Sequence, residues 1–173
     1  MNVDYHVHLE EGPYSANWVG RTASALESFM EDKAYTYEWM ESLMSRLDKR
    51  LAEGEYSEYW LDLYLERAKQ LGIKQVGILD HLYRFHDALN YYERHVYLES
   101  DKLGDMQRKW LGQVSVIPCM DEFLDFVQSR KEKWEDHGVQ LRLGIEADFF
   151  PNGFPSFLST IVTSDRPDEA LSL

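Results

Sequence analysis

The sequence predicts a helix-rich α/β fold with parallel strands. Twice the chain runs from an amphipathic helix through a glycine into a short apolar strand, at residues 57–81 and 120–150. Parallel strands need helical crossovers of this kind, because the chain must return to the same end of the sheet. The 173 residues are 44% hydrophobic and 14% aromatic, which is enough for a buried core and predicts a globular chain.

Three segments are predicted strands. Residues 1–9 (MNVDYHVHL) alternate in a strand pattern, residues 73–81 (IKQVGILDH) form a compact apolar run, and residues 139–150 (VQLRLGIEADFF) form another. In the first segment, Asp4, His6 and His8 are expected on one face, because side chains alternate along a strand.

Apolar side chains at helical spacing predict helices over residues 36–54, 57–72 and 120–138, each ending at a glycine. Residues 82–116 are mixed and aromatic, and predict loops with one or two helices. The apolar stripes of the helices are expected to face the core. In the first helix that stripe contains Met40, Leu43, Met44, Leu47 and Leu51.

Charge and composition exclude several function classes. The net charge of −13 would repel nucleic acid and anionic membranes, so neither is an expected partner. Cys119 is the only cysteine, which rules out a disulfide framework and a thiolate metal site. No leader pattern and no run of about 18 apolar residues is visible, so we expect a cytoplasmic protein.

Ionisable side chains stand at the C-terminal end of every predicted strand. Ligands bind at this end of the strands in α/β folds. The side chains are Asp4, His6 and His8 in the first strand, Asp80 and His81 in the second, and Glu146 and Asp148 in the third.

A metal ion would satisfy these groups together. Glu146 follows an apolar run and should be partly buried, which is costly for an unpaired carboxylate. No Lys or Arg lies on the strand ends to neutralise it. A divalent ion held by His6, His8 and Glu146 would do so, and imidazole with carboxylate suits Zn²⁺, Mn²⁺ or Fe²⁺.

Each motif alone also has a simpler interpretation. A His-x-His pair on a strand can be a surface pair or a hydrogen-bonded pair, and Asp80-His81 can be a turn or a helix cap. Glu146 can be the partner of a helix N-cap or a hydrogen-bonded core carboxylate. The recurrence at three strand ends favours the metal.

The segments DYHVHLEEGPYS, VGILDHLYRF and LGIEADFFP resemble the first three motifs of the PHP (polymerase and histidinol phosphatase) superfamily, most closely its histidinol-phosphatase-type members. The resemblance covers residues 1–151. It implies a distorted seven-stranded, TIM-like β/α barrel in full-length members, with up to three metal ions at its C-terminal mouth. This chain would form part of such a barrel.

The resemblance also implies an activity. Family members of this type hydrolyse small phosphomonoesters such as histidinol phosphate, an intermediate of histidine biosynthesis. A metal-bound hydroxide attacks phosphorus, so no side chain acts as the nucleophile. By motif, His6, His8 and Glu146 would bind one ion, Glu146 would bridge to a second, and His81 would bind a third.

Further roles follow from the same resemblance. Asp4, Asp80 and Asp148 would support the ligands or replace one of them. Tyr14 stands where many members have a histidine ligand; Glu11 (or Glu10) could substitute for it, or that ion could be lost. Arg84, in the loop after the second strand, could hold the substrate phosphate.

The chain lacks the later histidine motifs of the family. We therefore expect a truncated member that keeps one ion, with residues 152–173 as a tail outside the family and with exposed barrel edges that favour self-association. Three hypotheses remain: a phosphatase, an inactive or partner-dependent fragment that binds at most one metal, and a metal-free α/β interaction module.

Overall fold

The computed structural model describes residues 2–9, 13–30, 33–148 and 150. It confirms a helix-rich α/β chain with a small parallel sheet. A short 3₁₀ turn, Leu82–Arg84, follows the second strand. In chain order the other elements are β1 (Val3–His8), α1 (Ala16–Glu27), α2 (Tyr37–Ala52), α3 (Glu58–Leu71), β2 (Gln75–His81), α4 (His86–His95), α5 (Lys102–Val114), α6 (Met120–Gln128), α7 (Lys131–Asp136) and β3 (Gln140–Glu146).

The described residues divide into two compact units. One combines residues 2–9 with residues 68–148 and 150, and contains the whole sheet. The other covers residues 13–30 and 33–67 and is helical. In the helical unit Leu26, Leu43 and Leu47 form a buried cluster. The buried Arg50 guanidinium lies 5.5 and 5.7 Å from the Trp18 and Trp60 rings.

The sheet has the order β1-β2-β3, and both pairings are parallel. β2 and β3 pair without interruption from Gln75 opposite Gln140 to His81 opposite Glu146. The C-terminal ends of these two strands therefore stand side by side. Three strands are compatible with part of a β/α barrel, and the barrel itself stays a prediction.

The two helix–glycine–strand connections use the same turn. Gly72 and Gly138 both have positive φ, at 67° and 75°. The residue after each glycine donates to a carbonyl five positions back, Ile73 to Ala68 at 2.9 Å and Val139 to Trp134 at 3.1 Å. This is the Schellman arrangement that ends helices. β2 and β3 pair from their first residues and both have seven residues, so their C-terminal ends coincide.

A β-bulge interrupts the pairing of β1 with β2. Asp4 pairs with Val76 and Val7 pairs with Ile78, so two β1 residues stand opposite Gly77 alone. A Cβ atom on Gly77 would lie 2.9 Å from the Tyr5 backbone, which is too close for any side chain. Glycine at this position therefore permits the bulge, as bulges next to functional sites often require.

Because of the bulge, the prediction that Asp4 and His8 share one face of β1 was wrong. Asp4 pairs with Val76 and His8 pairs with Leu79, three positions further along β2. Because paired side chains share a face and alternate along a strand, Asp4 and His8 lie on opposite faces. His8 instead shares its face with His81 and Glu146.

Residues 120–138 form two helices, and the prediction of one long helix was wrong. α6 ends at Gln128, where the Ser129 hydroxyl donates to the Phe126 carbonyl at 2.7 Å. The Arg130 backbone N–H then bonds the carbonyl of Val127, three residues back. A serine that bonds the backbone locally competes with the helical pattern, and here it separates α6 from α7.

The expected apolar stripe of α2 is only partly buried. Leu43 and Leu47 are buried, but Met40, Met44 and Leu51 are 47–50% exposed. Leucines at 43 and 47, four residues apart, define a narrow contact, and the long flanking side chains lie at its edges.

None of the described helices is both long and apolar enough to cross a membrane.

Candidate metal centre

Three side chains meet at the C-terminal edge of the sheet. The Nε2 atoms of His6 and His8 lie 3.1 and 3.0 Å from Oε2 of Glu146. The two Nε2 atoms are 3.2 Å from each other. These three atoms form a nearly equilateral triangle. Among the described residues, His6, His8 and Glu146 are the group whose potential ligand atoms lie close enough to hold one metal ion.

The sheet brings these side chains together. Glu146 ends β3 directly opposite His81, the last residue of β2. The bulge at Gly77 shifts β1 so that His8 pairs with Leu79 and lies on the same face. In a regular ladder, continued from Asp4 opposite Val76, His8 would pair with Asp80 and point to the other face. The bulge thus selects the face on which His8 is found.

The triangle fits a metal ion. Ligand atoms at about 2.0–2.1 Å from a tetrahedral ion stand roughly 3.3 Å apart. The three observed separations are 3.0, 3.1 and 3.2 Å. Glu146 Oε2 is shielded from solvent and accepts no hydrogen bond, although imidazole nitrogens surround it. The nitrogens are thus close to this oxygen but not aligned to donate to it, which is how ligand atoms are arranged around an ion.

The triangle is open on one side. The side chain of His8 is 11% exposed, whereas those of Glu146 and His6 are 37% and 60% exposed. Two of the three groups are therefore reachable from solvent. A site with three protein ligands and an open side is typical of catalytic rather than structural zinc.

His81 lies beside the triangle. Its Nδ1 is 3.6 Å from Glu146 Oε2, and its ring stacks between those of His8 and Tyr83, at centroid distances of 4.3 and 4.6 Å. Burial, followed by the nearby His8, lowers the pKa of His81 below its ordinary value. The neutral imidazole, which is the form that binds metal, is therefore favoured. Its predicted role as ligand of a separate ion stays a prediction.

Asp80 and Arg84 form a separate buried pair. Arg84 Nη1 lies 3.3 and 3.4 Å from the two Asp80 carboxylate oxygens, and both residues are at most 2% exposed. Asp80 Oδ1 also accepts the His81 backbone N–H at 2.8 Å. Asp80 therefore fixes the backbone of His81. The predicted phosphate contact of Arg84 is not supported by this placement, since its guanidinium is buried against Asp80.

The remaining acidic residues are dispersed. Asp4 Oδ1 accepts the His6 backbone N–H at 3.2 Å, within the bulged part of β1. Asp148 Oδ2 accepts the Tyr92 hydroxyl at 2.9 Å and is outside the triangle. Glu11, Glu10 and the predicted tail at residues 152–173 lie outside the described residues.

Three other histidines bond to backbone carbonyls. The ring of His86 contacts the Ser115 carbonyl at 3.1 Å, that of His95 the Tyr91 carbonyl at 2.7 Å, and that of His137 the Lys133 carbonyl at 2.8 Å. These contacts give each histidine a structural partner away from the triangle.

Sequence reasoning missed Gly77 and the ring of Tyr83. A glycine inside the apolar strand QVGILDH is a recognised sign of a bulge or of close backbone approach, so Gly77 could have been identified. Tyr83 carries no such signal, because its contact with His81 depends on the 3₁₀ turn after β2.

Comparisons with protein-family models, with curated proteins and with solved structures found no match to this chain. The resemblance to the PHP superfamily therefore rests on the three sequence motifs.

Proposed function

We propose that the chain is a metal-dependent phosphomonoesterase of the histidinol-phosphatase type, and a member of the PHP superfamily. The observation that carries the proposal is the triangle of His6, His8 and Glu146, in which the buried Glu146 Oε2 accepts no hydrogen bond. Zn²⁺, Mn²⁺ and Fe²⁺ are the ions that this donor set suits.

An ion bound there would supply Lewis acidity toward the phosphate oxygens and would lower the pKa of water. The chain itself supplies the rest. His8 and Glu146 fix two donor atoms on the two outer strands of the sheet, at either side of β2, and His6 supplies a third from the exposed side. The stack of His81 on His8 restricts the orientation of the His8 ring.

The overall charge supports a cation in the site. A net charge of −13 would repel a phosphomonoester dianion unless a local positive charge offsets it. Arg84, the arginine predicted to do this, is occupied by Asp80. Since Arg84 is paired with Asp80, a divalent ion at the triangle would supply the positive charge that the substrate phosphate requires.

The test is phosphatase activity with and without metal. Protein stripped with chelator is assayed on p-nitrophenyl phosphate and histidinol phosphate after addition of Zn²⁺, Mn²⁺ or Fe²⁺. We expect metal to restore hydrolysis, and we expect His6→Ala to lower it by more than roughly a hundredfold, since even groups that only support ligands are worth about 10–100-fold. His137→Ala, which removes a histidine at a helix end, is the matched control and should keep full activity.

A second function remains, because the described residues supply one close set of three ligand atoms. A fragment that binds one ion without turnover would show metal binding that depends on His6 but no hydrolysis of either ester. That result would refute the phosphatase and support the partner-dependent or inactive fragment. Absence of both would support the metal-free interaction module.

A further inference from the structure

An open pocket of about 480 Å³ lies in the unit that contains the sheet. Its size is within the range of small-molecule sites. It is built from α4, α5 and the residues just after β3. The residues that matter for its chemistry are Tyr92, His95, Gln107, Trp110, Asp148 and Phe150.

Aromatic rings form its walls. The Phe150 ring stacks on His95 at a centroid distance of 5.1 Å and meets the edge of Tyr92 at 5.7 Å. Trp110, on α5, is 39% exposed. Such rings present apolar area together with negative π faces, which attract both apolar groups and cations.

Three polar side chains of the pocket offer acceptor atoms. Asp148 is exposed, and its carboxylate accepts the Tyr92 hydroxyl at 2.9 Å. Gln107 Oε1 is shielded from solvent and accepts no hydrogen bond. The His95 Nδ1–H donates to the Tyr91 carbonyl at 2.7 Å, so Nε2 of the neutral ring carries a lone pair. An acceptor shielded from water and left unsatisfied is costly, which favours a ligand that donates.

The described lining of the pocket contains one carboxylate and no ammonium or guanidinium group. None of the described residues that line it is a Lys or an Arg. Arg108, which follows Gln107 on α5, bonds the carbonyls of Leu98 and Glu99 and the carboxylate of Asp105. Within the described lining, the Asp148 carboxylate therefore favours a positively charged ligand.

We propose that this pocket binds a small organic cation, with its ammonium group against Asp148 and Gln107 and its apolar body between the aromatic rings. Charge-assisted hydrogen bonds and cation–π contacts favour such a ligand over a neutral one of equal shape. Asp148, which would contact the ligand, is two residues from Glu146 in sequence. The pocket does not depend on a bound metal or on the proposed phosphatase activity.

The experiment measures binding of phenethylammonium and of its neutral analogue 2-phenylethanol to chelator-treated protein, by ligand-observed NMR titration. We expect the cation to bind at least about tenfold more tightly than the alcohol. Asp148→Asn should remove most of that difference, because it deletes the charge and keeps the shape. Gln107→Glu should enlarge the difference, because it adds a carboxylate at the unsatisfied acceptor.

Glu93→Gln is the matched control, since it removes one exposed carboxylate from α4 outside the pocket. Equal loss in Glu93→Gln and Asp148→Asn would show that only the net negative charge attracts the cation, and would overturn the proposal. Equal binding of the cation and the alcohol, or no binding of either, would also overturn it. The protein carries no metal in this test. A negative result would therefore not refute the proposed metal centre, and a refuted metal centre would not affect this test.

Discussion

Two carboxylates at the same edge of the sheet have opposite surroundings. Asp80 is buried, is paired with Arg84 and accepts the His81 backbone N–H. Glu146 is partly exposed and is surrounded by imidazole nitrogens, yet its shielded oxygen accepts no hydrogen bond. Asp80 is neutralised by Arg84, whereas the described partners of Glu146 are imidazole rings and include no lysine or arginine.

The difference follows from the alternation of the strands. Asp80 and His81 are adjacent in sequence, so their side chains lie on opposite faces. Asp80 lies on the face where Arg84 reaches it, and His81 lies on the face of Glu146. The bulge adds His8 to the second face. Burial with an arginine therefore indicates a structural carboxylate, whereas a carboxylate oxygen among imidazoles is the arrangement that the proposed metal site requires.

The largest expected effect comes from removing each charge in turn. Asp80→Asn leaves the Arg84 charge buried without its partner and should lower the free energy of unfolding by about 3–5 kcal/mol. Glu146→Gln, measured without metal, should change it by less than about 1 kcal/mol, because no internal positive charge loses a partner. Denaturant titration of both variants and the parent gives these values.

Metal addition should reverse the contrast. Excess Zn²⁺ should stabilise the parent and Asp80→Asn, and it should not stabilise Glu146→Gln, because binding to the folded state raises stability. Equal stabilisation of Glu146→Gln and the parent would contradict the assignment of Glu146 as a ligand.

A smaller effect is expected from the bulge. Gly77→Ala places a Cβ atom 2.9 Å from the Tyr5 backbone, so β1 must shift or regularise. We expect a loss of about 1–3 kcal/mol in the free energy of unfolding, as for other overpacked sites. Metal affinity should fall as well, because His8 leaves the face of Glu146.

Gly112→Ala is the control for this variant, because an added Cβ atom there meets nothing within 4 Å. Gly112 lies within α5, where alanine is the better helix former. The free energy of unfolding of this variant should therefore rise by about 0.5–1 kcal/mol. Thermal unfolding and zinc titration of the two variants separate the steric effect from the general effect of replacing glycine. Unchanged zinc affinity in Gly77→Ala would show that the bulge does not position His8.

The smallest effect concerns an exposed carboxylate that is held mainly by neutral hydrogen-bond donors. Asp101 caps α5, and bonds from the Gly104 backbone N–H and then the Tyr97 hydroxyl hold its pKa below the ordinary value of 3.8. A lowered folded-state pKa adds stability above the unfolded value, and this contribution is lost as the pH falls through the folded value. Asp101→Asn should therefore flatten the stability profile below about pH 4. An unchanged acid profile would refute this.

Much of the fold is visible in the sequence because its signals are local. The glycines at 72 and 138, followed by apolar runs, predicted two helix–strand connections, and both occur with the same turn. The His-x-His spacing and Glu146 predicted the members of the triangle, since parallel strands bring their C-terminal ends together.

Other features depend on contacts that no local pattern contains. The regular alternation of β1 predicted a common face for Asp4 and His8, but the bulge against Gly77 separates them. Arg84 was expected to face a substrate, because the sequence does not show that the 3₁₀ turn directs it back to Asp80. Pairing across strands and the direction of a turn decide these cases.

The most direct test of the central claim is the metal content of the purified chain. Protein prepared without chelator and without a histidine tag is analysed for bound metal beside His8→Ala. We predict about one Zn, Mn or Fe ion per chain, as three protein ligands can hold, and its loss in His8→Ala. An equal metal content in the two proteins, or none in the parent, would contradict the assignment of His6, His8 and Glu146 as a metal centre.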